Sequence, residues 1–110
     1  MSWHDDMDLE LRRAREAAAA GNPGKARTSV RRAVGVAVAE LQRRSPGKHY
    51  GVDAMSQVRG IALDQGIPVE VRDAAERLQT RLSADFTSHS HDPLSDGDII
   101  IGFIKRVLVS

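Results

Sequence analysis

The chain of 110 residues contains no cysteine. That excludes disulfides, thiolate nucleophiles and zinc sites built on sulfur. It fits a reducing cytoplasm, where we expect the protein to reside. Aromatic residues are scarce, at 4 %: Trp3, Tyr50, Phe86 and Phe103. Recognition of single strands by base stacking needs exposed rings, so this scarcity argues against it. No apolar run approaches the ~20 residues of a membrane span, and no membrane partner is expected. The opening Met1-Ser-Trp-His-Asp-Asp is acidic and has no signal-peptide apolar core. What is present is ordinary for a globular chain, with 41 % hydrophobic and 28 % charged residues. The length implies a single domain over residues 1–110, burying roughly 65 % of its unfolded surface around one core.

Net charge is only +1, but it is unevenly spread. Residues 1–10 carry −4, from Asp5, Asp6, Asp8 and Glu10. Residues 11–48 hold eight arginines and two lysines against Glu16 and Glu40, a net +8. Residues 49–110 return −3. A near-neutral chain can therefore own a basic face, and a face matters more than net charge for phosphate contacts.

Hydrophobic periodicity predicts about five helices. The first runs from about Trp3 to Ala20, with Ser2-x-x-Asp5 as a capping box and Gly21 as a left-handed terminator. The second is capped by Asn22, carries Pro23 in its first turn and ends near Arg44 before Ser45-Pro46-Gly47. Its small residues Ala33, Gly35, Ala37 and Ala39 would admit a neighbouring helix closely. Gly35 costs about 1 kcal/mol against alanine in a helix, so close packing is its expected justification. The third helix is capped by Asp53, buries Ala54, Val58, Ile61 and Ala62, and ends at Gly66. The fourth starts near Pro68, with Val71, Ala74, Ala75, Leu78 and Leu82 as a stripe that Phe86 extends. Arg77 is expected outside, paired with Asp73 one turn back.

Residues 87–93 read as a polar loop. Leu94-Ser95-x-x-Asp98-Ile99 then offers a capping box with Ser95 as cap, and a staple between Leu94 and Ile99. The body over 99–109 is rich in β-branched residues, yet a lone strand would lack a partner, so it reads as a helix. Ile100, Phe103, Ile104, Val107 and Leu108 form its main face. Because it is apolar nearly all round, it is expected to be central or covered by a second subunit, with Ile101 and Val109 looking away from the main face.

The run Gly24-Lys-Ala-Arg-Thr-Ser-Val-Arg-Arg-Ala33 resembles the second helix of HEPN-domain proteins. Ile67-Pro-Val-Glu-Val-Arg-Asp-Ala-Ala-Glu-Arg-Leu78, a polar loop and a last helix opening on Asp96-Gly-Asp98 are similar to the rest of that pattern, over about residues 5–109. The resemblance implies an all-α up-and-down bundle, commonly dimeric. It also implies either a partner such as a nucleotidyltransferase or a toxin–antitoxin component, or metal-independent ribonuclease activity. The ribonuclease branch uses an arginine and a histidine four to six residues apart near the last helices. Arg81 and His89 have seven residues between them, outside that range. Arg43 and Arg44 fit the spacing to His49, but between the second and third helices. If the chain cleaves RNA, Arg81 with His89 or His91 is the pair to expect.

Other constellations are weaker. His89-x-His91-Asp92 has ligand chemistry, but it sits in a polar loop and lacks the further histidine of the hydrolase pattern it approaches, so no metal is assigned. His49-Tyr50 lies near Arg43, Arg44 and Lys48. Tyr50 is expected to pack its ring on the bundle end with its hydroxyl outward. Gly21-Asn-Pro-Gly24 lacks the Lys-Ser/Thr ending of a phosphate loop, and no cofactor is implied. Arg27, Arg31, Arg32 and Arg43 on the second helix are the candidate nucleic-acid contacts, with Arg12, Arg13 and Arg15 adding to them from the first. The reading is thus a non-catalytic helical module, homodimeric through its last helix or the small-residue face of its second. It binds a protein partner or nucleic acid, and a metal-independent endoribonuclease is the alternative.

Overall fold

The computed structural model describes residues 2–79 and 92–109. Among these the chain forms five α-helices and no strand: α1 (Trp3–Ala19), α2 (Pro23–Arg44), α3 (Ala54–Leu63), α4 (Val69–Gln79) and α5 (Pro93–Val109). The all-α bundle expected from periodicity is what forms.

Local chemistry sets most of the boundaries. Ser2 caps α1 through its hydroxyl, which accepts from the Asp5 N–H at 3.2 Å. At the other end Gly21 has φ +75°. Its N–H donates to Ala18 O (3.1 Å), and the Asn22 N–H donates to Ala17 O (2.8 Å). This paired closure is a Schellman motif. Asn22 then caps α2, accepting from the Lys25 N–H at 3.1 Å. One residue thus ends one helix and starts the next, which forces α1 and α2 into an antiparallel hairpin. Asp53 caps α3 through Ser56, with bonds of 2.9 Å to both its N–H and its hydroxyl.

Two boundaries differ from expectation. The third helix ends at Leu63, not Gly66. Asp64 stops it: its carbonyl accepts from the Ile67 N–H (3.0 Å) and its carboxylate from the Gly66 N–H (2.9 Å). The last helix starts at Pro93, before Ser95. Asp92 is the cap, with its carboxylate accepting from the Ser95 N–H at 3.1 Å. A proline directly after an Asp is an even better start than the Ser95 box, because its missing N–H costs nothing in the first turn. Ser95 is then a surface residue inside the helix.

All five helices contribute to one core. Met7 and Ala14 of α1, Val30, Val34 and Val38 of α2, Val58 and Ile61 of α3, Val71, Ala75 and Leu78 of α4, and Ile100, Ile101 and Ile104 of α5 are buried in it. The central element is α2, which packs on every other helix. Its small residues make this possible. A Cβ on Gly35 would lie 2.7 Å from Gln57 Oε1 and 3.4 Å from Ala54 Cβ, so α3 does approach closely there. Ala33, Gly35 and Ala37 are spent inside the chain, and only Ala39 of that face is exposed. The small-residue face of α2 is therefore not the dimer surface that the sequence offered.

The last helix is peripheral. Ile101 points inward, 4 % exposed, while Ile99 (37 %), Val107 (39 %) and Val109 (86 %) face out. The inward arc of α5 is extended by Asp96 and Gly97. A Cβ on Gly97 would lie 2.5 Å from Val30 Cγ1, so glycine lets α5 seat on α2. Asp73 still supports the Arg77 charge from one turn back, but the hydrogen bonds of Arg77 go elsewhere. Its Nε and Nη2 both donate to Asp96 Oδ1, at 3.1 and 2.8 Å, and Asp96 is 5 % exposed. The predicted helical pair was worth tenths of a kcal/mol. A buried carboxylate on the facing helix is the stronger competitor for that guanidinium.

Candidate functional site

The basic segment 11–48 is redistributed by folding. Arg27 and Arg31 share a face, as their one-turn spacing requires, but that face turns inward. Arg27 is 4 % exposed. Arg31 Nε donates to Leu78 O at 2.7 Å, serving one of the last carbonyls of α4. Arg43 and Arg44 converge on Glu40. Arg44 Nε is 2.7 Å and Arg43 Nε 3.1 Å from its carboxylate, and Arg43 Nη2 makes a further contact. These two guanidinium groups hold the Glu40 carboxyl at a pKa of about 2, well below the ordinary value of 4.5. Of the four candidate contacts on α2, only Arg32 is exposed without an acidic partner among the described residues.

The loop after α2 is structural. Gln42 Oε1 accepts from the N–H groups of Tyr50 (2.5 Å) and Gly51 (3.1 Å). The Tyr50 ring packs on Gly60, and its hydroxyl donates to Asp64 Oδ2 at 2.6 Å, where Lys48 Nζ also lies at 3.3 Å. Burial, then the Asp64 carboxylate, push the Tyr50 phenol above its ordinary pKa. Its hydroxyl is therefore tied to Asp64, and it is a poor proton donor near neutral pH. His49 is exposed beside this network. Arg44, the arginine whose spacing fits His49 in the sequence pattern, is committed to Glu40. The other catalytic candidates, Arg81, His89 and His91, lie outside the described residues, as do Leu82 and Phe86.

A concavity lies elsewhere, in the seam of the α1–α2 hairpin. It has a volume of about 790 Å³. Its lining includes small residues, Ala17 of α1, Ala20 at the C-cap of α1 and Ser29 of α2, with Arg13, Lys25 and Arg32 against Glu16. Three cations and one acid line it, and a second acid, Glu10, stands against Arg13. Lys25 and Arg32 have no carboxylate partner among the described residues, and Arg13 Nη1 is shared with Glu10 at 2.9 Å. Lys25 also stands in the first turn of α2, where no acidic residue is present. A cation there works against the helix dipole, and an anion would relieve it.

Lys25, Ser29 and Arg32 follow an i, i+4, i+7 spacing, so their common face was available in the sequence. Arg32 was among the candidates, but Lys25 and Ser29 were missed because the pattern counted arginines alone, and because Ala17 and Ala20 read as ordinary helix formers. What makes the groove is the smallness of α1 opposite the charges of α2. No known protein family, no curated protein and no solved structure matches this chain. The fold defines it as an all-α helical bundle.

Proposed function

We propose that the chain is a non-catalytic helical binding module of HEPN-like type that holds a nucleic-acid backbone against the α1–α2 hairpin. The carrying observation is the groove rim, where Lys25 and Arg32 have no carboxylate partner among the described residues and Arg13 adds a third cation. Arg12 and Arg15 are exposed on the same helix as Arg13 and extend the basic surface. Contacts of this kind recognise phosphate and carry no base sequence information. Intracellular placement in a reducing cytoplasm belongs to the same reading, supported by the absence of cysteine. So does a symmetric homodimer through α5. Its support is the exposed apolar edge made by Ile99 (37 %) and Val107 (39 %) with half-buried Phe103 between them.

The test is a gel-shift titration with a labelled single-stranded RNA in EDTA at several salt concentrations. Three phosphate contacts give a slope of log affinity against log salt of about −2 for a single strand, and Arg32→Ala reduces it by about 0.7. A salt-independent shift, or no shift, refutes the reading and leaves a protein partner as the occupant of the surface. Cleavage of the RNA in EDTA refutes the non-catalytic part and favours the metal-independent ribonuclease. Light scattering that returns a single-chain mass removes the dimer.

A further inference from the structure

The outward face of α5 is ordered by charge. Opposite the buried arc, Ser95, Ile99, Gly102, Arg106 and Val109 recur every three or four residues and form one stripe along the helix. Asp98 and Lys105 are seven residues apart, about two turns, so both flank that stripe on the same side, and both are exposed. Neither has an ion-pair partner among the described residues. Half-buried Phe103 flanks the stripe on its other side. Gly102 lies midway between the acid and the base. At Gly35, Gly60 and Gly97 an added Cβ would lie closer than 3.0 Å to an atom of a neighbouring element, but at Gly102 it would meet no described atom within 4 Å. Within one chain the cost of that glycine in helix propensity has no packing contact to offset it.

We propose that α5 pairs with the same helix of a second copy in antiparallel order, crossing at Gly102, with each Asp98 beside the partner's Lys105. The inference rests on the α5 dimer of the reading above and is independent of its nucleic-acid part. A two-fold axis perpendicular to both helices keeps each flank on its own side and reverses its order along the helix. It therefore sets Asp98 of one chain level with Lys105 of the other, twice per dimer. Parallel pairing sets Asp98 level with the partner's Asp98 and leaves acid and base unmatched. A surface whose acid and base are evenly spaced about one point is complementary to itself, which selects a second copy over an unrelated partner. Ile99 (37 %) and Val109 (86 %) supply apolar area along the stripe, and the absent side chain of Gly102 lets the two backbones approach at the crossing. The Arg106 stem lies along the partner's Ile99 with its charged head toward water. A helix of 17 residues is about 25 Å long. One such pair buries no more than the low end of specific interfaces, about 1,200 Å² in total, so the dimer forms at micromolar concentration or above.

Sedimentation velocity of the whole chain at low salt, from micromolar to millimolar protein, reads the dissociation constant of the parent, of Asp98→Lys, of Lys105→Asp and of the double variant. Both residues are exposed, so circular dichroism should not change. Each single variant puts two like-charge pairs into the dimer and should weaken it roughly 10-fold. The double variant, and an equimolar mixture of the two single variants, should return to the parent's value, because each restores two acid–base pairs. Added salt should shrink these differences. The chain has no cysteine, so oxidation of single-cysteine variants reads the orientation directly. Gly102→Cys should form a covalent dimer by itself. Ser95→Cys and Val109→Cys should do so only when mixed with each other. If Ser95→Cys and Val109→Cys each couple to themselves, the antiparallel pairing is overturned while the α5 dimer stands. If the parent dimerises but no charge or cysteine variant responds, the contact lies elsewhere and both the pairing and the α5 dimer are overturned. A parent that stays a single chain at millimolar concentration overturns both as well, and leaves the nucleic-acid reading untouched.

Discussion

Two glycines, each inside a helix, should respond to alanine with opposite signs. Gly60 lies in α3 against the loop that carries Tyr50. An added Cβ would sit 2.7 Å from Tyr50 Cβ, 2.8 Å from its Cδ1 and 3.0 Å from its Cα. The last of these is backbone, and that backbone is pinned by Gln42 through the Tyr50 and Gly51 N–H groups. The loop cannot yield without loosening these bonds and the Tyr50–Asp64 contact. Alanine gains about 1 kcal/mol of helix propensity. Overpacking of a fixed neighbour costs about 1–3 kcal/mol, and a weakened hydrogen bond adds ~1 kcal/mol. The net is a loss of about 2 kcal/mol for Gly60→Ala. Gly102 in α5 has no atom within 4 Å of its Cβ position. Gly102→Ala should therefore keep the propensity gain, up to about 1 kcal/mol. Thermal unfolding of dilute protein, followed by circular dichroism, reads both. For a chain of this size 1 kcal/mol moves Tm by roughly 4 °C or more, so the variants should separate by ~10 °C on opposite sides of the parent. A Gly60→Ala protein as stable as the parent would refute the close approach of α3 to the loop. Two shifts of the same sign would refute the use of neighbour distances to decide between propensity and packing.

Arg77→Ala leaves the Asp96 carboxylate buried without its guanidinium. Breaking a fully buried pair costs about 3–5 kcal/mol. Arg77 is itself 40 % exposed, so solvent screening brings the expected loss to about 2 kcal/mol, measured by urea unfolding; a loss below ~0.5 kcal/mol would mean the pair does not tie α4 to α5. Glu40 sets an acid limit. Its carboxyl is held at about 2 by Arg43 and Arg44, below the ordinary 4.5. A depressed carboxyl contributes stability that is present above pH 4.5 and is lost as pH falls toward 2. Glu40→Gln should therefore flatten the stability profile across that window, and an unchanged acid limb in equilibrium unfolding would contradict the assignment.

The helices themselves were legible because local rules set them. Asn22 caps α2 and Gly21 ends α1 through contacts within a few residues, and the Ser2 and Asp53 caps are equally local. Propensity, periodicity and caps act along the chain, so the chain alone is enough to read them. Even the errors were local competitions: Asp92-Pro93 outbid Ser95 as the start of α5, and Asp64 stopped α3 before Gly66 was reached.

The tertiary structure decided where each charge goes. Arg27, Arg31, Arg32 and Arg43 look alike in sequence. Packing buried the first, placed the second on a carbonyl of α4, left the third on a groove and gave the last to Glu40. An arginine takes the best acceptor within its reach, and that acceptor lies 47 residues away for Arg31 and 19 for Arg77. The groove depended on the same kind of distant information. Lys25, Ser29 and Arg32 share a face by helical spacing alone, but they line a cavity only because Ala17 and Ala20 stand opposite them across the hairpin. Local sequence fixes which side of a helix a residue occupies. Only the packing of a second helix fixes whether that side meets a core, a carboxylate or an open groove.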